Sequence, residues 1–208
     1  MISKINVYND KYYYKKIEYN ENTVDVLINK LGKKRKVILY CENIFIKKYI
    51  YLGNKVEKYI EEKINEDFTN KNNLLFHYEL DKENKVIYLY SLRNDKFRIL
   101  YEDAIELSIE PIQFKVKNLI VKKYRGNKDF LIIYKVKNLY NVLTIENCLI
   151  TDLIMNKSFS ELEGYINDKR RKDTILVVDK YIKESEEIKD IEIDYFINLG
   201  VGTDEDIC

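Results

Sequence analysis

The chain has 208 residues, of which 46% are hydrophobic, and 36 basic residues offset 35 acidic ones to leave a net charge of +1. This length and apolar content predict one compact domain or two small lobes, and they exclude a globally disordered chain. The near-neutral charge gives no overall attraction to nucleic acid or to acidic membranes.

The cysteines and the N-terminus bear on the cellular compartment. Cys41, Cys148 and Cys208 form no close pair, so the sequence predicts neither a disulfide framework nor a zinc-binding spacing. Residues 1–4 lack the apolar core of a signal peptide, and no run approaches the roughly 18 apolar residues of a membrane span. We therefore expect a soluble protein in a reducing compartment, most simply the cytoplasm.

The N-terminal part predicts a hairpin followed by a short helix. Lys4 to Tyr8 and Tyr13 to Tyr19 form the hairpin around Asn9-Asp10. Asn22 is expected to cap the helix, and Gly32 stands at its C-terminal stop position.

The next segment predicts a strand pair and an amphipathic helix. Val37 to Cys41 is a continuous apolar run, typical of a buried strand, and Ile44 to Leu52 is expected to pair with it through Glu42-Asn43. The helix that follows has an apolar stripe at three- and four-residue steps, formed by Val56, Tyr59, Ile60, Ile64 and Phe68.

The middle of the chain repeats this order of strands and helix. Leu74 to Leu80 and Val86 to Leu92 predict a second hairpin. Asp95 is expected to cap a helix that ends by Glu110, because the next residue is the single proline. The alternation of apolar and polar residues from Ile112 to Val116 then predicts a half-buried strand.

The second half predicts a three-stranded meander, a helix and two further strands. Ser158 and Glu161 have the spacing of a capping box at the start of the helix. The five strands are expected at Asp129–Lys135, Leu139–Ile145, Cys148–Met155, Thr174–Asp179 and Ile191–Leu199. Groups of strands, each followed by a helix, indicate an α/β or mixed α+β fold.

Few residues suggest chemistry. His77 is the single histidine and lies in an apolar strand pattern, which favours a structural role over a catalytic one. Asp152 and Asp179 end strands and would suit a metal-phosphate site, although turn formation is the commoner role. Gly200 and Gly202 precede acidic residues instead of a helix, which argues against a phosphate loop. We predict no catalytic, metal-binding or cofactor-binding residue and no cofactor.

Three short basic clusters, Lys33–Lys36, Lys122–Arg125 and Lys169–Lys172, have two interpretations. They suit lipid headgroups or an acidic partner if they converge in space. Because acidic residues balance each of them, a solvated surface is the favoured interpretation. Tyr12–Lys16 has only a superficial likeness to a base-stacking platform, and no nucleic-acid partner is expected.

The order of the motifs resembles a known family. The segments that carry the resemblance are Lys48–Leu52, Tyr59–Ile64, Leu75–Tyr78, Val86–Tyr90, Ile109-Glu110-Pro111 and Phe196–Gly200. Together they resemble the cytoplasmic actin-like domain of bacterial inner-membrane platform proteins, which are the L component of type II secretion and its type IV pilus counterpart PilM. Ser108 stands where that family usually has glycine.

The resemblance implies an α/β, mixed α+β chain with a two-lobed actin-like (ribonuclease H-like) architecture of mixed sheets flanked by helices. Residues 1–116 would form the first lobe, with an inserted strand-helix subdomain at about 37–92, and residues 117–208 the second. The implied location is cytoplasmic, peripheral to the inner membrane. Membrane association would be indirect or would run through a missing C-terminal segment.

The resemblance also implies a scaffold and not an enzyme. Its partners would be an assembly ATPase and a PilN-like inner-membrane platform subunit, bound at an unpaired strand edge or in a groove between lobes. A homodimer is also compatible with it.

Two alternatives remain open at this stage. PilM-type members bind ATP, but Val7 to Asp10 offers an aspartate without the expected glycine, which argues against a nucleotide. The first alternative is a degenerate actin-like ATP-binding protein. The second is an unrelated α+β protein-binding module.

Overall fold

The computed structural model describes residues 2–40, 43–124, 129–156, 158–183 and 191–201, with the side chain of Lys96 left out. Several residues that figure in the predictions therefore lie outside the described ranges: Cys41, Glu42, Arg125, Gly202 and Cys208.

Within these ranges the chain forms thirteen strands and five α-helices. The strands are β1 Ser3–Tyr8, β2 Lys11–Tyr14, β3 Ile17–Tyr19, β4 Lys34–Leu39, β5 Phe45–Ile50, β6 Leu74–Asp81, β7 Val86–Arg93, β8 Glu106–Pro111, β9 Phe130–Val136, β10 Leu139–Glu146, β11 Leu149–Asn156, β12 Ile175–Asp179 and β13 Tyr195–Ile197. The α-helices are α1 Val24–Ile28, α2 Val56–Asp67, α3 Ile112–Lys123, α4 Ser160–Lys169 and α5 Lys180–Lys183. Short 3-10 segments lie at Lys71–Asn73 and Asp95–Tyr101.

The first sheet has five strands in the order β3-β2-β1-β4-β8. β1 to β3 form an antiparallel meander, and β4 and β8 run parallel to β1. The two-residue period of β4 points the side chains of Val37 and Leu39 toward a core that also contains residues of α1 and of the second 3-10 segment. Full burial of each contributes about 1.5–3 kcal/mol. The same period leaves Lys34 and Lys36 on the opposite face.

The second sheet repeats this layout with the order β11-β10-β9-β12-β13. Again an antiparallel meander precedes two parallel strands. Helices cover both faces: Ile132 packs in the same cluster as α3, whereas Leu131 packs with α4 and α5. Burial on both faces explains why β9 reads as a continuous apolar run in the sequence.

A third sheet, with the order β5-β7-β6, is inserted between β4 and β8 and is antiparallel throughout. Helix α2 covers one face, where Ile60 packs with Ile87 and Leu89 of β7. On the other face, Tyr88 and Tyr90 join the cluster that holds α3 and the second sheet. The insertion therefore packs directly against the second half of the chain.

Most of the predicted strands are confirmed, including the hairpin around Asn9-Asp10, the β6–β7 hairpin and the β9–β10–β11 meander. Tyr13 to Tyr19 is not one strand, because Lys15 and Lys16 adopt positive φ and turn the chain between β2 and β3. The last predicted strand shortens to β13.

The predicted pairing of Val37–Cys41 with Ile44–Leu52 is wrong. β4 pairs with β1 and β8, and β5 pairs with β7. The parallel partners of β4 lie 30 or more residues away in the chain, and an apolar run does not specify which strand it will pair with.

The assignments on either side of Pro111 are also wrong. The helix expected between Asp95 and Glu110 is a 3-10 segment followed by strand β8, and the strand expected at Ile112–Val116 is the start of helix α3. Within α3, a 3.6-residue period places Val116 with Ile120 in the core. The helical period of 3.6 residues along the whole of α3 outweighs the two-residue alternation between Ile112 and Val116.

The three predicted helix caps are wrong as well. Asp95 begins a 3-10 segment that has Asn94 at its N-cap position and no side-chain cap hydrogen bond. Helix α1 has Thr23 at its N-cap position, and no side-chain cap hydrogen bond forms there, so Asn22 is not the cap. Helix α4 has Phe159 at its N-cap position, again without a side-chain cap, and Glu161 contacts Asn156 instead of completing a box with Ser158. The division predicted between residues 116 and 117 falls inside α3, and the assignment of lobes along the chain stays a prediction.

Candidate functional site

A groove lies between two sheet edges on the insertion side of the first sheet. Among the described strands, β6 pairs only with β7, and β8 pairs only with β4, so each presents one open edge. The cavity between them measures about 430 Å³. It is lined by Leu75, Phe76, His77, Tyr90, Leu92, Tyr101, Leu107, Ile109, Glu110, Pro111 and Phe114. We call it the edge groove.

Three aromatic rings form a rigid cluster in the edge groove. The imidazole of His77 stacks on Tyr90 with ring centroids 6.0 Å apart. Phe114 of α3 meets both rings edge-on, at 5.3 Å from His77 and 5.1 Å from Tyr90. Edge-to-face pairs of this kind add about 0.5–1.5 kcal/mol beyond the area they bury. The cluster therefore joins β6, β7 and α3 at one end of the groove.

A buried polar network supports the rings from behind. The ammonium of Lys117 lies 2.5 Å from the Glu79 carboxylate, with Lys117 7% exposed and Glu79 21% exposed. The hydroxyl of Tyr90 lies 3.1 Å from the other Glu79 oxygen and 2.9 Å from the carbonyl oxygen of Ile150 on β11. The network thus links the insertion, helix α3 and the second sheet.

The electrostatics of the edge groove favour uncharged His77 and Tyr90 side chains, while its one carboxylate, Glu110, pairs with Lys36. His77 keeps an exposed edge, but the packed surroundings desolvate its charged form and lower its pKa below 6.5. The Glu79 carboxylate opposes this shift, and Lys117 adds to it. For Tyr90, burial raises the pKa, and the nearby Glu79 charge raises it further. Both groups are therefore neutral near pH 7.

This arrangement suits binding of an extended apolar chain. Open strand edges offer backbone donors and acceptors that accept a further strand, and pockets beside them select alternate side chains. Within the described residues, no group of three or more His, Cys, Asp or Glu side chains is placed to hold a metal ion.

The residues singled out in the sequence are dispersed. Asp179 is buried at the end of β12, where it accepts hydrogen bonds from the backbone amides of Tyr181 and Leu199, as expected of a turn residue. Asp152 pairs with Lys169 at 2.8 Å. Burial opposes the charge of Asp152, but the hydrogen bonds from Lys169 and Tyr165 prevail and lower its pKa. Gly200 has a φ of 59°, which only a residue without a Cβ adopts readily.

The basic clusters do not act as units. In the first, Arg35 is buried and donates hydrogen bonds to the carbonyls of Gly32 and Leu100, while Lys34 and Lys36 pair with carboxylates on β8. In the third, Arg171 lies 3.4 Å from Glu146. Among the described residues, Lys36 of the first cluster and Lys122 of the second line a common surface.

The aromatic residues near the N-terminus are part of the core and not a stacking platform. Tyr12, Tyr13 and Tyr14 are each less than 10% exposed. Where the β1–β2 and β9–β10 hairpins meet, the Lys137 ammonium lies 4.4 Å from the ring centroid of Tyr8. This cation–π contact joins the two halves of the chain at their turns.

The segments singled out in the sequence, Leu75–Tyr78, Val86–Tyr90 and Ile109-Glu110-Pro111, supply part of the edge groove. Sequence reasoning misses Phe114 and Lys117, because it assigns the start of helix α3 to a strand. A signal was present: the apolar positions 112, 116 and 120 recur at steps of four residues.

No protein-family model and no curated protein sequence matches the chain. Solved structures do match. A Bacteroides thetaiotaomicron protein of unknown function with an actin-like ATPase fold has a TM-score of 0.60 at 11% identity, covering 97% of this chain and 92% of its own. The cytoplasmic domain of EpsL, an inner membrane component of the type II secretion system of Vibrio cholerae, has a TM-score of 0.50 at 6% identity, covering 86% and 80%.

A PilM–PilN type IV pilus biogenesis complex also matches, with a TM-score of 0.44 at 8% identity, covering 80% of this chain and 61% of its own. Within the described residues, no helix is both long enough and apolar enough to cross a bilayer. At these identities the structural likeness establishes the fold. The chain has the predicted two-lobed, actin-like architecture of mixed sheets flanked by helices.

Proposed function

We propose that this chain is a docking scaffold of a bacterial inner-membrane assembly platform, of the type II secretion or type IV pilus class. The observation that carries the proposal is the edge groove, in which two open strand edges flank an apolar lining. A site of this shape binds an extended segment by adding it as a strand. The occupant we propose is an apolar segment of an inner-membrane platform subunit.

The family resemblance in the sequence supports this assignment. Its Ile109-Glu110-Pro111 motif forms the end of β8 and lines the edge groove, and its Leu75–Tyr78 segment supplies the facing edge on β6. The EpsL cytoplasmic domain, which has the same fold, belongs to such an inner-membrane machine. We extend that role to this chain, together with a cytoplasmic location at the inner membrane and an assembly ATPase as a second partner.

Site-specific photo-crosslinking tests the proposal. A photoreactive phenylalanine analogue replaces His77 on β6 or Leu107 on β8, in cells that carry the assembly machinery. Tyr181, which is 47% exposed on α5, is the matched control. We expect both groove positions to capture the same inner-membrane protein and the control to miss it. Capture of no inner-membrane protein, or equal capture at Tyr181, would refute the docking assignment.

A further inference from the structure

A second surface lies beside helix α3, on the face of the first sheet that carries Lys4 and Lys36. The parallel register of β1 and β4 places Lys4 beside Lys36. Helix α3 borders the same surface, and the shallow depression between them measures about 390 Å³. Its lining, which we call the basic face, comprises Lys4, Lys36, Ile38, Glu110, Lys115, Asn118, Leu119 and Lys122.

The basic face carries an excess of positive charge. Four of its residues are lysines, and Glu110 is its one carboxylate. Glu110 lies 2.6 Å from Lys36, so that pair is locally neutral. Among the described residues, no carboxylate forms an ion pair with Lys4 or Lys122. The positive charges of Lys4 and Lys122 are therefore the ones that would attract an anion to this face.

Apolar side chains are interspersed with these lysines. On α3, Leu119 stands between Lys115 and Lys122 at helical spacing and is 42% exposed. Ile2, which is 54% exposed, falls on the same side of β1 as Lys4 by the two-residue alternation. Lysines around exposed aliphatic side chains are the composition of surfaces that lie in a bilayer interface, with stems among the lipids and ammonium groups at the phosphates.

The position of the basic face fits a membrane as its occupant. Glu110 lines both the basic face and the edge groove, so the two surfaces meet along β8. A partner segment that extends from a bilayer into the edge groove would place the basic face next to the lipid headgroups. The exposed side chains of Leu119 and Ile2 favour lipid over an acidic protein, because an acidic protein would bind through the charges of the lysines alone.

We propose that the basic face binds the surface of an anionic phospholipid bilayer directly. This contact goes beyond the docking function, because the isolated chain would reach the membrane without any protein partner. The attraction comes from the lysines and weakens as salt screens them.

Vesicle co-sedimentation of the purified chain tests this proposal. The probes are vesicles of phosphatidylcholine alone and vesicles of equal parts phosphatidylcholine and phosphatidylglycerol. The test variant is Lys4→Gln/Lys122→Gln. The control variant, Lys55→Gln/Lys82→Gln, removes the same charge at exposed positions elsewhere. Thermal unfolding of both variants checks that they fold.

We expect the wild type and the control to bind the anionic vesicles, and the test variant to bind roughly 30-fold more weakly, since it loses two lysines at the surface. Equal binding to both vesicle types, or unchanged binding by the test variant, would overturn the proposal. A wild-type chain that binds polyglutamate but does not bind the vesicles would also overturn the proposal. That result would indicate an acidic protein partner. The groove variant His77→Ala should keep vesicle binding, which separates this result from a failure of the docking proposal.

Discussion

Replacing Lys117 with methionine tests whether the polar network behind the edge groove holds the insertion in place. The Lys117 ammonium lies 2.5 Å from Glu79 and is almost fully buried. Methionine fills a similar volume but leaves the Glu79 carboxylate without its cation. Breaking one side of a buried ion pair costs about 3–5 kcal/mol, because the remaining charge stays desolvated.

The expected cost lies at the lower end of that range. Glu79 is still 21% exposed, so water relieves part of the penalty, and the Tyr90 hydroxyl remains 3.1 Å away. We therefore expect Lys117→Met to lower the free energy of unfolding by about 3 kcal/mol. For a chain of this size that loss corresponds to a decrease of about 6–12 °C in the melting temperature.

Urea unfolding followed by circular dichroism measures this loss. The exposed Lys123→Met change on the same helix is the control and should cost less than about 0.5 kcal/mol. The double variant Lys117→Met/Glu79→Gln removes both charges and should recover to within about 1 kcal/mol of the wild type. A free energy of unfolding for Lys117→Met within about 1 kcal/mol of the wild-type value would contradict this reasoning. It would mean that water solvates the Glu79 carboxylate and that the network does not stabilise the edge groove.

Three further predictions concern Asp81, His77 and the turn contact of Lys137. Asp81→Ala should cost about 1–3 kcal/mol, because its carboxylate accepts hydrogen bonds from Asn84 and reaches Asn147 of the second half. The hydrogen bonds from Asn84 lower the pKa of Asp81, so this stability is present above pH 3.8 and is lost as the pH falls below that value. Urea unfolding at several pH values measures the loss. Because the pKa of His77 is lowered, stability should rise with pH across the window below 6.5, and an NMR titration with its midpoint at or above 6.5 would contradict this. Isothermal titration with ATP and magnesium should give no heat, since the turn that Lys137 contacts, Val7 to Asp10, has an aspartate without the glycine that the nucleotide-binding alternative requires; micromolar heat release would favour that alternative.

Local patterns predicted the strands well because their signal is short-ranged. The β9–β10–β11 meander and the β6–β7 hairpin each join neighbouring apolar runs through a tight turn, and adjacent antiparallel pairing is the simplest arrangement for such runs. The partners of β4 could not be read in the same way. They are parallel strands that come before and after an inserted sheet, and apolar side chains do not encode which edge will meet which.

The residues around Pro111 show why the edge groove escaped prediction. Proline disfavours helical geometry in the residue before it, and this rule correctly ends an element there. The rule does not say whether that element is a helix or a strand. Pro111 itself has a φ of −60° at the N-cap position of α3, where proline's fixed φ suits the start of a helix. Because the prediction exchanges the helix and the strand, it assigns Phe114 to a strand and does not assign Lys117 to helix α3.

The functional surfaces depend on relations that one-dimensional patterns do not contain. Alternation along β4 turns Arg35 away from Lys34 and Lys36 and so divides the first basic cluster, but the strand predicted from the sequence begins only at Val37. Nor does alternation predict that Lys36 lies beside Lys4, because that contact needs the parallel register of β1 and β4. The edge groove likewise exists only because two different sheets end next to each other. Both proposals therefore rest on tertiary placement, and charge or strand-edge substitutions that preserve the fold are the perturbations that test them.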